Sequence, residues 1–290
     1  MVDEETLRLA AAKGLSGPVE FNRNGVKVRR IMQLTQDLSG KPFEGLRILD
    51  LGCGEGVYAI EAGLRGATVT AVDGRTDRMA DGIEAARRLG LSTTVKFEKG
   101  DVRDLELGPD TFDVIYFLGI LYHLDTPNSF KVVSSLFGVA PLLLIDTMIA
   151  MTGDDRTHFE GREYEGRKVR EHADGDTAAQ KLERTMNSLD NNLSFYFTRR
   201  SLVAMLRHVG YHTVLECHAP LAPGQSEDRI TIAAIRSSPA SVATYPWVNG
   251  MTDDDLAAKL APKRRHKRFH QRLAARSSRI AGRLGRRPNN

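Results

Sequence analysis

The sequence predicts an α/β protein in which a mostly parallel sheet carries helices on both faces. Short apolar segments alternate with helical segments of about ten residues between positions 47 and 149. A glycine-rich turn follows the first apolar segment, and an aspartate closes each of the next two. Because parallel strands end on one edge of a sheet, we expect the turn and the aspartates to form a ligand site there.

Apolar periodicity places each predicted element along the chain. Gly66, Gly90 and Gly210 each follow a predicted helix, which favours termination at those points. The predicted strands cover residues 47–51, 67–72, 94–98, 112–118, 141–149, 212–218 and 229–235. The predicted helices cover residues 25–38, 57–65, 77–89, 129–137 and 198–208.

The chain divides into four predicted parts. Residues 1–44 form an N-terminal helical segment, and residues 45–236 form the main domain. Within that domain, the charge- and glycine-rich residues 150–193 interrupt the pattern, and we expect them to form an insertion or lid over the site. Residues 237–262 are predicted to form a linker with a short helix, and residues 263–290 a basic helical tail.

Composition excludes several classes of protein. The two cysteines, Cys53 and Cys217, are too few for a disulfide framework or a cysteine-rich zinc site. No run approaches the roughly 20 consecutive apolar residues of a membrane span. The acidic N-terminal stretch also lacks the features of a signal peptide. We therefore expect a cytoplasmic protein whose membrane association, if any, is peripheral and at the inner surface.

Charge is divided unevenly along the chain. The net charge is +4, yet the 11 Lys and Arg residues from Lys263 onward are accompanied by no acid, so residues 1–262 carry −7. A basic amphipathic helix there would bind an anionic membrane surface or RNA, and the alternative is a solvated tail. Four apolar residues of this tail share one side of a helix: Phe269, Leu273, Ile280 and Leu284.

The turn after the first strand has the features of a nucleotide-binding loop. Asp50 precedes Gly52 and Gly54, and residues without a Cβ allow a sharp bend and a close ligand approach. A dinucleotide site would use a similar loop. Asp50, however, suits a cationic ligand, Asp73 can accept from two ribose hydroxyls, and Asp101 can accept from an adenine amino group. The alternative is that these aspartates only cap the following helices.

In combination, the DLGCGEG stretch, Asp73 and the Gly100-Asp101 pair resemble class I S-adenosylmethionine-dependent methyltransferases. The resemblance covers residues 45–236. It implies a Rossmann-like sheet of seven strands whose last strand is antiparallel, with S-adenosyl-L-methionine as the cofactor. The cofactor-binding residues predicted in this half of the domain are Asp50, Gly52, Gly54, Asp73, Asp101, Val102 and Leu118.

The second half resembles one branch of this superfamily, typified by the tRNA wobble-uridine carboxymethyltransferases. The runs that carry this resemblance are GILYH at 119–123, LIDT at 144–147 and NLSFYF at 192–197. That branch holds a carboxylated cofactor with a lysine, a tyrosine and an arginine, which by motif position fall here on Lys27, Tyr122 and Arg229.

Two departures from the branch favour ordinary methyl transfer over carboxymethyl transfer. Residues 220–228 replace a polar segment between the last two strands, and the insertion is longer than its counterpart. We therefore expect O-methylation of a small molecule or glycan. The alternatives are modification of a tRNA wobble base and a catalytically silent regulatory protein that binds the cofactor.

Transfer of a methyl group to a hydroxyl requires alignment, exclusion of water and a group that takes the hydroxyl proton. His123 follows the fourth strand near the expected methyl position and is the candidate base, with Tyr122 beside it. Asp146 is the candidate orienter of His123 or a substrate ligand. The alternative for His123 is a packed histidine. Three further histidines are expected to be solvated or structural: His158, His172 and His212.

Overall fold

The computed structural model describes residues 23–217 and 226–238 of the 290-residue chain. The predicted linker, short helix and basic tail lie outside the described residues. The described helices are α1 (Arg23–Leu38), α2 (Val57–Leu64), α3 (Thr76–Arg88), α4 (Asn128–Phe137), α5 (Ala178–Glu183) and α6 (Arg199–Val209). The described strands are β1 (Arg47–Leu51), β2 (Thr68–Asp73), β3 (Val95–Lys99), β4 (Val114–Leu118), β5 (Leu142–Met148), β6 (Asp155–Phe159), β7 (Arg162–Arg170), β8 (Leu193–Phe197), β9 (Thr213–Glu216) and β10 (Arg229–Ile235).

Seven of these strands form one sheet in the order β3-β2-β1-β4-β5-β10-β9. The pairs formed by β1 to β5 are parallel, whereas β10 runs antiparallel to both of its neighbours. The predicted Rossmann-like sheet with an antiparallel last strand is therefore confirmed. In the central strands, apolar residues follow one another without alternating with polar residues, because both faces of the sheet are covered. All five residues of β4, for example, are buried.

Helices cover the sheet on both faces. On one face, Ile31 of α1, Ala59 of α2 and Met79 of α3 pack in one apolar cluster with the sheet. On the other face, Phe130 of α4 and Leu202 of α6 belong to a second cluster. None of the helices in the described part of the chain has the length and apolar character needed to cross a membrane.

The insertion contains regular structure that the sequence did not reveal. Strands β6 and β7 form a hairpin, and β8 pairs with β7 to complete a three-stranded antiparallel sheet. The two-residue loop, Glu160 and Gly161, has positive φ at both positions (46° and 76°), as a twisted hairpin turn requires. Charged residues dominate both strands, and β7 buries only Tyr164 and Gly166. Two buried positions are too few to produce an alternating apolar pattern that the sequence would reveal.

Candidate active site

A cavity of about 340 Å³ opens at the carboxyl ends of the parallel strands. The glycine-rich turn after β1, the segments after β2 and β3, and the residues after β4 all contribute to its wall. The insertion contributes Thr185 to Leu189 and Asn191. Most of the predicted site residues line this one cavity: Gly52, Gly54, Asp73, Asp101, Val102, Leu118, Tyr122, His123 and Arg229.

The glycine-rich turn depends on the absence of side chains. Gly52, Gly54 and Gly56 all have positive φ, between 55° and 71°. A Cβ on Gly52 would lie 2.6 Å from Ile120 Cδ1, and a Cβ on Gly56 would lie 2.4 Å from the Phe97 ring. The turn therefore packs closely against Phe97 of β3 and against Ile120, which follows β4, while its backbone faces the cavity.

Asp73, at the end of β2, lies between the turn and α3. Its Oδ2 accepts from Gly54 N at 2.8 Å, and its Oδ1 accepts from Arg75 N at 2.8 Å. The side chain therefore fixes local backbone, as the capping alternative proposed, and it also lines the cavity. A carboxylate offers about four lone-pair sites, so two backbone bonds leave acceptor capacity for a ligand.

Asp101, after β3, is held by Arg103. Arg103 Nε donates to Asp101 Oδ1 at 2.9 Å, and Arg103 Nη1 donates to Asp190 of the insertion at 2.8 Å. Although burial acts to raise the pKa of Asp101, the hydrogen bonds from Arg103 outweigh it and lower the pKa. The carboxylate is therefore ionised and can accept from a ligand at the cavity wall.

Asp50 is buried beside the glycine-rich turn. The sequence placed it against a cationic ligand, but its side chain is 1% exposed and it is not among the described residues that line the cavity. Burial, and then repulsion from Asp73, raise the pKa of Asp50 to about 7. Its Oδ2 has no hydrogen-bond partner among the residues described. Asp50 thus lies in the interior beside the turn, behind the cavity wall.

His123 pairs with an acid that the sequence did not identify. It ends a short 3-10 turn (Leu121–His123), and its Nδ1 lies 3.0 Å from Oε1 of Glu171 in the insertion. Glu171 is 6% exposed, and its Oε2 accepts from Ser188 N at 3.0 Å. Burial acts to raise the pKa of Glu171, but hydrogen bonding to His123 and Ser188 lowers it. An ionised carboxylate therefore orients the imidazole, which lines the cavity.

Asp146 does not orient His123, which corrects the sequence-based prediction. Arg229 Nε donates to Asp146 Oδ1 at 2.5 Å, and Thr231 Oγ1 donates to Asp146 Oδ2 at 3.1 Å. Strands β5 and β10 are neighbours, so residues of one strand bind those of the other across the sheet. Asp146 is 3% exposed and is absent from the described lining of the cavity, and its partner is Arg229 rather than His123.

Two of the three residues matched to the carboxymethyltransferase branch lie together. The Arg229 guanidinium lies 5.5 Å from the centre of the Tyr122 ring, a distance typical of a cation–π contact. Both residues line the cavity. Lys27 of α1 is 8% exposed, and it is not among the described lining residues.

The other histidines have the structural or solvated environments expected from the sequence. His158 is exposed and lies 3.4 Å from Glu163. His172 is buried, with its Nε2 2.9 Å from Ser188 O, and His212 is exposed. Sequence reasoning missed Glu171 because it lies 48 positions from His123, on a strand end that was not predicted. The one sequence feature that could have indicated Glu171 is that it is an acid in the segment expected to cover the site.

Known proteins resemble this chain over its central part. A family model described as "Methyltransferase domain" matches residues 48–140. A 23S rRNA (uracil(1939)-C(5))-methyltransferase from Azoarcus sp. is 38% identical over 30% of this chain and 19% of its own length. A ubiquinone biosynthesis O-methyltransferase from Caulobacter sp. is 28% identical over 42% of this chain and 49% of its own length. The chain thus spans half or less of the length of these relatives.

Structural similarity extends further than sequence similarity. The N-terminal domain of EvdMO1, solved in the presence of S-adenosylhomocysteine and D-fucose, superposes with a TM-score of 0.58 at 21% identity. The alignment covers 72% of this chain and 82% of that domain. Likeness at this level of identity establishes a shared fold. Residues 48–140 of the chain therefore match a methyltransferase-domain model, and the chain shares its fold with the EvdMO1 domain.

Proposed function

We propose that the protein transfers the methyl group of S-adenosylmethionine to a hydroxyl group of a small molecule or glycan. One observation carries the proposal: one cavity joins the glycine-rich turn and Asp73 to His123, which is hydrogen-bonded to Glu171. The first group suits the donor, and the second suits removal of a proton from the acceptor.

The donor half of the cavity suits the cofactor chemically. Asp73 retains acceptor capacity for the ribose hydroxyls, and Asp101 is held ionised at the wall where an adenine amino group could donate. A Cβ at either Gly52 or Gly54 would point toward Ile120 or Arg78, so the turn stays open only with glycine. We assign the cofactor to Gly52, Gly54, Asp73, Asp101, Val102 and Leu118.

When bound, the cofactor supplies an electrophilic methyl group, and the protein supplies the base. Because an ionised Glu171 only accepts hydrogen bonds, His123 Nδ1 must carry a proton, which leaves Nε2 of the neutral imidazole as a proton acceptor. Glu171 also stabilises the imidazolium that forms when Nε2 takes the hydroxyl proton. His123 is 20% exposed on the cavity side of this pair, so an acceptor can reach it.

The names of relatives and neighbours support a small acceptor. The Caulobacter relative methylates an oxygen in ubiquinone biosynthesis, according to its name, and the EvdMO1 domain was crystallised with D-fucose. The Azoarcus relative, by its name, methylates a carbon atom of a uracil in 23S rRNA, but only about a fifth of its length aligns with this chain. Small aromatic hydroxyl compounds and hexoses are therefore the first acceptors to test.

The direct test uses methyl-labelled S-adenosylmethionine with a panel of phenols, catechols and hexoses. With any acceptor found, His123→Ala should lower turnover roughly 100-fold or more, because it removes the base. Glu171→Gln should lower turnover less, because the imidazole remains. Asp81→Asn, on the exposed side of α3, serves as the control. A folded His123→Ala enzyme with normal turnover would contradict the assignment, and an unfolded one would favour the packed-histidine alternative.

A second candidate, carboxymethyl transfer to a tRNA wobble uridine, has one specific observation in its favour. Tyr122 and Arg229 lie side by side in the cavity, where they could bind the carboxylate of a carboxylated cofactor. Against it, Asp146 already neutralises Arg229. Native mass spectrometry of the purified protein separates the two, since the carboxylated cofactor has a higher mass. Detection of the carboxylated form would replace the first proposal with the second.

A further inference from the structure

Residues 182–191 of the insertion, which we term the cover segment, lie across the cavity. Thr185, Met186, Asn187, Ser188 and Leu189 all line it. Leu189 packs against the backbone beside Asp73, since a Cβ on Gly74 would lie 2.5 Å from Leu189 Cδ1. The cover segment therefore forms part of the wall on the donor side of the cavity.

The side chain of Arg75, which follows β2, binds the cover segment through hydrogen bonds. Its side chain is buried, at 6% exposure, and its guanidinium donates to four backbone carbonyls of the cover segment. The acceptors are Leu182 O at 2.6 Å, Arg184 O at 3.3 Å, Asn187 O at 3.0 Å and Ser188 O at 2.9 Å. A lysine has three donors on one nitrogen and cannot reproduce this fork.

Ser188 connects this anchor to the catalytic pair. Its carbonyl accepts from Arg75 and also from His172 Nε2 at 2.9 Å. Its N–H donates to Glu171 Oε2 at 3.0 Å, and Glu171 Oε1 bonds to His123. The Arg75 backbone N–H is itself bound to Asp73. A continuous series of hydrogen bonds thus joins the donor-binding carboxylate to the imidazole.

We propose that Arg75 is a positioning residue that sets the orientation of the Glu171–His123 pair through Ser188. The inference rests on the proposed function only in treating His123 as the base. Arg75 does not contact the reacting atoms. Through Asn187 O and Ser188 O it holds the peptide groups on both sides of Ser188, so that the Ser188 N–H faces Glu171 and the carboxylate is turned toward His123 Nδ1. Binding at Asp73 should therefore tighten the cover segment and the pair together.

The other arginines at the cover segment are placed differently. Arg103 binds Asp190, whose side chain is 61% exposed, and Arg78 reaches Thr185 O at 3.4 Å from a partly exposed position. Neither of these arginines has a hydrogen bond to Ser188 among those in the described residues. Of these three arginines, Arg75 is the one that binds Ser188.

The experiment compares full-length wild type with Arg75→Lys, Glu171→Gln and the control Arg87→Lys. Arg87 lies on α3, the helix that follows Arg75, is 66% exposed and pairs with Glu84 away from the cavity. Hydrogen exchange reports on the amides of residues 182–191, and NMR of labelled histidine reports on the His123 ring. We expect exchange at least tenfold faster in Arg75→Lys, with His123 ring signals displaced in the same direction as in Glu171→Gln. Arg87→Lys should match wild type.

Two results would overturn the proposal: unchanged exchange in a folded Arg75→Lys protein, or faster exchange with unmoved His123 signals. If Arg75→Lys does not fold, wild type still decides, because added S-adenosylhomocysteine should slow exchange in the cover segment and move the His123 signals together. Independent responses would refute the coupling. If calorimetry finds no S-adenosylhomocysteine binding, the proposed function is rejected. The hydrogen-exchange and NMR comparisons on ligand-free protein still test the role of Arg75 in that case.

Discussion

Asp73 binds the glycine-rich turn and faces the cavity with the same carboxylate. Asp73→Ala removes a charged acceptor, and hydrogen bonds to charged groups contribute roughly 1.5 to 3 kcal/mol. We expect S-adenosylhomocysteine to bind at least tenfold more weakly, or about 1.4 kcal/mol, as measured by calorimetry. Asp81→Ala on the exposed side of α3 is the control. Equal affinity in a folded Asp73→Ala protein would remove Asp73 from the cofactor site.

Asp50 makes the stability of the fold depend on pH. Burial and the nearby Asp73 raise its pKa to about 7, above its usual value of 3.8. A carboxyl with a raised folded-state pKa contributes stability below its unfolded pKa, and this contribution is lost as the pH rises through about 7. The free energy of unfolding should therefore fall between pH 5 and pH 8.

The variant Asp50→Asn isolates this effect because a neutral amide cannot ionise. Urea unfolding at pH 5 and at pH 8 should show a smaller fall for Asp50→Asn than for wild type, by on the order of 1 to 3 kcal/mol. Asp81→Asn should keep the wild-type fall. Parallel pH profiles for wild type and Asp50→Asn would show that Asp50 is ionised in the folded protein throughout this range.

Helix α3 approaches the glycine-rich turn closely only because it carries Gly82. A Cβ there would lie 2.3 Å from the carbonyl oxygen of Glu55, which is backbone and cannot rotate away. Replacing glycine by alanine inside a helix ordinarily stabilises it by roughly 0.5 to 1 kcal/mol. At this position the clash should reverse the sign, so Gly82→Ala should unfold at lower urea concentration and bind S-adenosylhomocysteine more weakly.

Gly138, at the end of α4, provides the matched control. No heavy atom of the described part of the chain lies within 4 Å of a Cβ built there, and its φ of −79° is ordinary for alanine. Gly138→Ala should therefore be neutral or slightly stabilising in the same urea titration. If both variants respond alike, close packing between α3 and the turn is not what Gly82 provides.

Elements differed in how far the sequence could predict them. Central strands of the main sheet such as β4 and β5 are largely apolar because both of their faces are buried, and β1 and β10 occur at the predicted residues. Strands β6 and β7 carry charged residues on an exposed face, and the hairpin contacts the core through few side chains, such as Phe159 and Tyr164 beside Phe130. Local composition therefore indicated an insertion but could not indicate its strands.

The site was predictable where neighbouring residues in sequence stay together in space. Gly52, Gly54 and Asp73 follow from the turn and the strand end that carry them. The partner of His123 depends on how the insertion folds back, so the sequence favours Asp146, whereas the structure pairs His123 with Glu171. Similarly, the pairing of β5 with β10 brings Asp146 to Arg229, and only the sheet order determines that contact.

The distribution of charge over the whole chain leads to a prediction about the tail. Residues 1–262 carry −7 and the rest +11, so removal of residues 263–290 should abolish binding to anionic liposomes without affecting S-adenosylhomocysteine binding. Each cation near an anionic surface contributes about 1 kcal/mol at low salt. Cosedimentation and a tRNA titration at low and physiological salt distinguish lipid from RNA. Full-length protein that binds neither at low salt would contradict the electrostatic interpretation.

Two parts of the chain contribute residues to the cavity wall, and this has a consequence for how related proteins diverge. The turn, Asp73, Asp101 and His123 fall within residues 48–140, whereas Met186, Asn191 and Arg229 lie beyond them. The wall of one cavity is thus encoded in two separate stretches of the gene. Replacement or drift of the insertion can reshape one part of the cavity while the glycine-rich turn and Asp73 stay the same. Proteins that share the first stretch can therefore differ in the shape and chemistry of their cavities through the second.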